Sequence, residues 1–380
     1  MAARKKRVRH FYDYSLLFAV LFITGFGMIM MYSASGYSAQ NTMNDAMYFL
    51  KRQAAFAVLG IVVMLVVSRI DYHIYAKLVV PIFCISFLAQ IATAFIGLSS
   101  HGSARWISVA GVRFQPSEMM KIAVIIMMST LITHYGYRIN ELRNAIYCFA
   151  WGVVPATFIA ISNLSTAIII AGISFMMLFV ATQKMWPFAA CGIFAALVYL
   201  FAYPFAKFLQ AAHLFQSYQL VRIFSWKNPT EYTDETFQTL QGLYAIGSGG
   251  IFGKGLGESI QKFLIPEAQN DMIFTIICEE LGLFGAVSVI LIYSFIVFRM
   301  YDIARNARDL FGSMLVIGVM THISLQAILN IAVVTNSIPN TGITLPFISY
   351  GGTSLVFLMT EVGICLSVSR QIHLEGAGKR

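Results

Sequence analysis

The chain has 380 residues, of which 58% are hydrophobic and only 11% charged, with a formal net charge of +9. An ordinary soluble domain is about 45–50% apolar and about 25% charged, so a soluble globular enzyme is excluded. The 31 Phe and 18 Tyr leave no polar low-complexity tract, so a disordered chain is excluded too.

A membrane-spanning helix needs about 20 mostly apolar residues. Ten stretches meet that condition: 14–33, 48–68, 76–97, 117–135, 144–161, 164–182, 186–204, 272–298, 310–334 and 349–369. Only Ser162 and Asn163 mark the break between the fifth and sixth. The predicted architecture is an all-α integral membrane protein, a single polytopic domain over 1–380.

Orientation follows from Lys and Arg, which favour the cytoplasmic side. The tail 1–13 carries Arg4, Lys5, Lys6, Arg7 and Arg9 and is expected in the cytoplasm, ahead of an uncleaved anchor. Ten spans return the tail 370–380, with Arg370, Lys379 and Arg380, to the same side. The positive charge is then mainly a topology signal, and no nucleic-acid partner is expected.

Glu118 and Lys121 lie three apart in the fourth span, on one helix face, where they can pair. They read either as a structural ion pair or as a charged pair lining a polar cavity. The connection 205–270 is predicted to be a large extracytoplasmic loop, and a loop that long in a compact bundle is usually functional. It holds Arg222, Lys254 and Lys262 and a candidate amphipathic helix. Asp234 would cap that helix, and Phe237, Leu240 and Tyr244 would share a face.

Asp271 stands at the outer end of the eighth span, where the helix dipole favours a carboxylate and where it can serve as an N-cap. Glu279 follows about 12 Å deeper, next to Glu280. Glu361 falls near the middle of the last span, where an ionisable group costs about 2.5–3.5 kcal/mol on insertion scales.

Two polar stretches, 102–118 and 340–354, mix Gly and Pro with hydroxyls. Irregular backbone at membrane depth must be buried in protein or line a cavity. Trp106, in the first, also suits an interfacial belt.

The five cysteines are scattered through apolar runs with no C-x-x-C, so neither a disulfide framework nor a zinc site is expected. Walker, H-E-x-x-H and G-x-S-x-G motifs are absent. One face thus gathers a large loop, cations, carboxylates at a helix entrance and two irregular stretches. That suits an amphiphilic substrate with an anionic head and a lipid tail. A transport path is the competing reading.

Several motifs resemble the SEDS family, the FtsW, RodA and SpoVE group of cell-wall polymerases. They are Pro266-Glu-Ala-Gln-Asn-Asp271 followed by Glu279-Glu-Leu-Gly282, and Arg105-Trp106 with Phe114-Gln-Pro-Ser-Glu118 and Lys121. Ile246 to Gly257 and Leu345-Pro-Phe-Ile-Ser-Tyr-Gly-Gly-Thr-Ser354 agree as well. The resemblance covers nearly the whole chain and is nearer the FtsW/SpoVE branch than RodA. Asn163 stands where the family often has an acid, Gln269-Asn270 stands where His-Thr is common, and Glu361 is not a residue the family leads one to expect.

The resemblance implies a peptidoglycan glycosyltransferase of the bacterial cell membrane, acting on its extracytoplasmic face in division or sporulation. Its substrate would be lipid II, its general base Asp271 and its leaving group undecaprenyl pyrophosphate. Substrate and pyrophosphate contacts would come from Arg105, Lys121, Glu118, Arg222, Lys254, Lys262, Trp106, Ser349 and Tyr350. A divalent cation, Mg²⁺ or Mn²⁺, would assist, although no protein metal cage is visible. A class B penicillin-binding protein transpeptidase and other divisome proteins would be partners. The rival functions are a lipid II flippase, which Glu279, Glu280 and Glu361 would serve, and a non-catalytic divisome scaffold.

Overall fold

The computed structural model describes residues 11–100, 103–109, 112–211, 224–228 and 233–372. Besides a short helical stretch at 224–227, twelve α-helices occur among them. They are α1 (Tyr14–Met43), α2 (Tyr48–Val67), α3 (His73–Lys77), α4 (Val79–Ile96), α5 (Pro116–Tyr135) and α6 (Leu142–Ser162), then α7 (Leu164–Ala181), α8 (Trp186–Ala211), α9 (Thr233–Ser248), α10 (Ile273–Arg305), α11 (Leu310–Val334) and α12 (Gly352–Arg370). Among the described residues nine helices are long and apolar enough to cross a membrane: α1, α2, α5 to α8 and α10 to α12. The expected third span is α4, whose apolar stretch Val79–Thr93 is shorter than the others.

One element departs from the all-α expectation. Residues 98–114 hold a three-stranded antiparallel sheet of β1 (Leu98–Ser100), β2 (Ser103–Val109) and β3 (Val112–Phe114). The register pairs Ile107 with Phe114 and Val109 with Val112. The β-branched and aromatic content of Trp-Ile-Ser-Val suits a pleated surface, and here it outweighs the irregular conformation expected from Gly and Pro.

The break at Asn163 is genuine. Its backbone is extended at φ −150° and ψ 85°, and its side-chain oxygen accepts from the Thr166 N–H, capping α7. The amide thus performs the local capping task an acid would perform. In contrast, α8 runs through Pro204 to Ala211, past the expected end at 204. Proline is tolerated in membrane helices because neighbouring groups satisfy the freed carbonyl.

Helix α9 packs through the face opposite Phe237 and Tyr244. Thr236, Thr239 and Ala245 are buried, while Phe237 and Tyr244 are exposed. Gly242 lies against Thr275 and Met272, so α9 approaches α10 through its small residues. Close backbone approach by small side chains is the usual packing mode of membrane helices, and apolar periodicity does not report it. The helix begins at Thr233, ahead of Asp234, whose side chain lies outside the described set.

Helix α10 is broken at Gly282, which has φ +65°. The glycine-rich loop plugs the break. Lys254 and Gly255 N–H donate to the Glu279 and Glu280 carbonyls, and Leu283 and Phe284 N–H donate to the Gly250 and Ile251 carbonyls. Four backbone groups freed by the kink are therefore paired, as a buried backbone requires. A Cβ on Gly282 would lie 2.4 Å from the Gly253 nitrogen. Only glycine allows both that φ and that approach.

At the far end of α10, Arg299 grips the Asp13 carboxylate, with Nη2 to Oδ2 at 2.7 Å. Asp13 also caps α1 through the Leu16 N–H. Nearby, His73 bridges Asp71 and Asp309 at 2.6 Å on either side.

Candidate active site

Asp271 sits just ahead of α10, whose N-cap residue is Met272, so it is not the N-cap that the sequence allowed. It is half-buried. Its Oδ1 accepts from Gln238 Nε2 on α9 at 3.3 Å. Gln238 is itself held by the Pro266 carbonyl and by Asn340. Opposite stands Gly342, where a Cβ would lie 3.7 Å from Asp271 Oδ2.

The main chain at Asp271 is pinned from below. Asn330 of α11, fully buried, donates to the Asp271 carbonyl and to the Ile343 carbonyl, both at 2.7 Å. Tyr350 N–H donates to the Gln269 carbonyl at 2.9 Å. The segment 266–272 and the loop 340–351 are thus one hydrogen-bonded unit.

Side chains from four helices hold that loop. Gln53 of α2 donates to the Ser349 carbonyl and accepts from Gly351 N–H. Gln326 of α11 donates to the Thr344 carbonyl at 3.0 Å. The Tyr293 hydroxyl of α10 donates to the Pro346 carbonyl. Ser165 of α7 donates to the Thr341 carbonyl. Irregular backbone is thereby satisfied without water, as a membrane interior demands.

Glu118 and Lys121 pair at 2.9 Å, as their spacing on α5 predicts. Both are buried, and Lys121 is 1% exposed. Lys121 also donates to Gln326 Oε1, and Ser354 donates to Glu118 Oε2 at 3.0 Å. A void of about 10 Å³ beside this group is lined by Thr344, Ser349 and Ser354 among others. That holds a single water at most. The pair lies buried beneath the loop as a fixed dipole.

The remaining candidates divide. Ser349 Oγ accepts from Leu345 N–H and shapes the loop. Tyr350 packs edge-on against Phe49 at 5.1 Å. Trp106 and Arg105 lie on β2, with the Arg105 side chain outside the described set. Arg222 lies outside the described residues.

Lys254 and Lys262 are engaged elsewhere. Lys254 pairs with Glu279 at 2.6 Å, and Lys262 faces Glu280 at 3.5 Å. Glu279 also accepts from Ser259 and from the Ile260 and Gln261 N–H groups. Glu280 accepts from Ser33 of α1. These two buried acids clamp the loop 249–262 onto the broken helix.

Gln53, Gln238, Gln326 and Asn330 hold the candidate site in place, and the sequence reading missed them. The one signal available was the four-residue spacing of His322, Gln326 and Asn330 in an otherwise apolar span. Among the described residues no cluster of three or more His, Cys, Asp or Glu could hold a metal ion.

The family model FTSW_RODA_SPOVE, described as cell cycle protein, matches residues 14–374. The chain is 37% identical over 371 residues to stage V sporulation protein E of Bacillus subtilis, covering 94% of this chain and 97% of that one. It is 37% identical over 374 residues to the probable peptidoglycan glycosyltransferase FtsW of Geobacter metallireducens, covering 95% of each. Two solved structures share the fold. A chain of a peptidoglycan synthase complex, reported for structural coordination of polymerization and crosslinking, has a TM-score of 0.77 at 21% identity, covering 94% of this chain and 98% of that one. The rod shape determining protein RodA of Thermus thermophilus has a TM-score of 0.68 at 21% identity, covering 96% and 98%. On this match, over almost its entire length, the chain belongs to the FtsW/RodA/SpoVE family.

Proposed function

We propose that this protein is a peptidoglycan glycosyltransferase that polymerises lipid II on the extracytoplasmic face of a bacterial cell membrane. In this reading the chain crosses the membrane ten times, with α4 as the third span and both termini in the cytoplasm. The observation that carries it is Asp271: a half-buried carboxylate between α9 and the loop 340–351, with its own main chain fixed by Asn330.

A sugar hydroxyl is a poor nucleophile, and a carboxylate within hydrogen-bond reach must take its proton. Asp271 takes the proton of a GlcNAc 4-hydroxyl as that oxygen bonds to the anomeric carbon of MurNAc. The anomeric carbon–oxygen bond to undecaprenyl pyrophosphate breaks, and the pyrophosphate leaves with the bonding pair. The immobile Asn330 link keeps the base in place, so little reorganisation accompanies the reaction.

A Mg²⁺ or Mn²⁺ ion would supply positive charge to the leaving pyrophosphate. Among the described residues Asp271 belongs to no cluster of three or more His, Cys, Asp or Glu, and a magnesium ion would draw its remaining ligands from phosphate oxygens and water. Lys121, paired with Glu118, contributes a fixed dipole under the loop.

A class B penicillin-binding protein is the partner we propose, docking along α10, α11 and the large loop. That face carries an apolar cavity of about 450 Å³ lined by Ile246, Ile251, Phe274, Leu283 and Ile331 among others. The flippase reading loses support because Glu279, Glu280 and Glu361 are all engaged with neighbouring side chains. The test is incubation of the purified full-length chain, with and without its transpeptidase, with lipid II and Mg²⁺ or Mn²⁺. Glycan strands on a gel support the proposal, and their absence from folded, partner-bound protein overturns it.

A further inference from the structure

Helix α11 carries three polar side chains one turn apart, His322, Gln326 and Asn330, each 3% exposed or less. Residues four apart share a helix face. Asn330 reaches the Asp271 and Ile343 carbonyls, and Gln326 reaches the Thr344 carbonyl. His322, at the bottom of the ladder, meets Glu361 of α12 with Nδ1 to Oε2 at 2.7 Å.

The hydrogen-bond chemistry fixes the protons. Gln326 turns its amide nitrogen to the Thr344 carbonyl, which only accepts, and its oxygen to the Lys121 ammonium, which only donates. The opposite amide orientation would set like against like at both ends. Gln326 Oε1 also lies 2.9 Å from His322 Nε2, so that nitrogen carries a hydrogen. On the other side of the ring, one proton must lie between His322 Nδ1 and Glu361 Oε2. The couple is neutral whichever atom holds it.

We propose that Glu361 is a positioning residue of the active site. Acting through His322, it keeps the Nε2–H directed at Gln326 Oε1, and that hydrogen fixes the amide that joins Lys121 to the loop beside Asp271. Remove Glu361, and the imidazole loses its partner at Nδ1 and can turn its Nε2–H away from Gln326 Oε1, leaving that oxygen to Lys121 alone. The role of Glu361 is to orient the ring, as second partners of histidine commonly do. Glu361 Oε1 is buried without a partner, so solvation does not account for this acid's presence.

The catalytic part of this proposal rests on the polymerase reading, and the test separates the two. Full-length protein labelled with ¹⁵N-histidine in bilayers gives the tautomer directly, the His322 signals being identified by their loss in His322→Phe. Nε2 of His322 is expected protonated and hydrogen-bonded in wild type and in Glu361→Gln, whose amide can still donate to Nδ1, and to lose that hydrogen bond in Glu361→Ala. In lipid II turnover, Glu361→Ala is expected to lower kcat about tenfold or more with KM little changed, and Glu361→Gln to stay within about threefold of wild type. The double variant His322→Phe with Glu361→Leu guards against misfolding, because an apolar pair of similar volume often replaces a buried polar pair without loss of stability. It is expected to fold and to turn over as slowly as Glu361→Ala. An unprotonated Nε2 in wild type overturns the proposal. So does wild-type turnover by either folded variant lacking Glu361, or turnover by Glu361→Gln as slow as by Glu361→Ala. If wild type makes no strands, the polymerase reading falls while the tautomer still decides the relay.

Discussion

One Asn330 amide nitrogen lies 2.7 Å from both the Asp271 and the Ile343 carbonyl oxygens. The proposed base and the loop facing it therefore hang from a single donor on α11. Asn330→Ala removes both bonds and leaves two buried carbonyls, a loss of about 1–3 kcal/mol in stability. We expect kcat for glycan synthesis to fall about tenfold or more, with a smaller change in KM. Asn330→Asp, which presents oxygens to both carbonyls, should be worse than Ala. Steady-state kinetics beside melting curves in detergent check both variants.

The Glu118–Lys121 pair predicts an asymmetry. Lys121→Met strands a buried carboxylate, and breaking such a pair costs about 3–5 kcal/mol. Glu118→Gln with Lys121→Met removes both charges and should recover much of that stability. A double-mutant cycle on melting temperatures reads the coupling, and additive losses would contradict the pairing seen here.

The loop that plugs the broken helix depends on Gly282. Gly282→Ala meets both a positive φ and the Gly253 backbone, and should destabilise the protein by more than about 1 kcal/mol. Because Lys254 and Lys262 sit on that loop, limited trypsinolysis at those residues should accelerate. Unchanged cleavage would show that the loop does not need the break.

Some of this was legible in the residues and some was not. Glu118 and Lys121 could be paired from spacing alone, since both partners are side chains of unlike charge on one helix. Gln53, Gln326 and Asn330 could not, because their partners are backbone carbonyls of a distant loop and sequence does not distinguish one carbonyl from another. Thr236, Thr239 and Gly242 of α9 escaped for a different reason. They pack by closeness of backbone, while the exposed Phe237 and Tyr244 dominate any reading by apolarity. The strands at 98–114 were hidden behind Gly and Pro, whose signals outweighed the β-branched run between them.

The cluster at the far end of the bundle gives a pH dependence. Burial alone would lower the pKa of His73, but its bonds to Asp71 and Asp309 outweigh that and raise it. Its contribution is complete below the ordinary histidine value and is lost as pH rises through the higher folded value. Asp71 is held down to about 2, chiefly by Gln371 and His73, so its contribution is present above the ordinary carboxylate value and is lost as pH falls toward 2. The cluster is most stabilising between about pH 4 and about pH 6.5. These groups are partly exposed, so the effect is less than about 1 kcal/mol. Melting curves should show wild type losing its advantage over His73→Asn between pH 6 and pH 9. A constant difference across that range would contradict the assignment.

The most direct test of the whole account is the proton acceptor. Wild type, Asp271→Ala and Asp271→Asn, each with matched melting temperatures, are incubated with lipid II and Mn²⁺, and strand formation is followed on a gel. The account predicts strands from wild type and a loss of at least about 100-fold in both variants, since Asn keeps the size and the Gln238 contact but cannot take a proton. Strands from folded Asp271→Asn at the wild-type rate would contradict it.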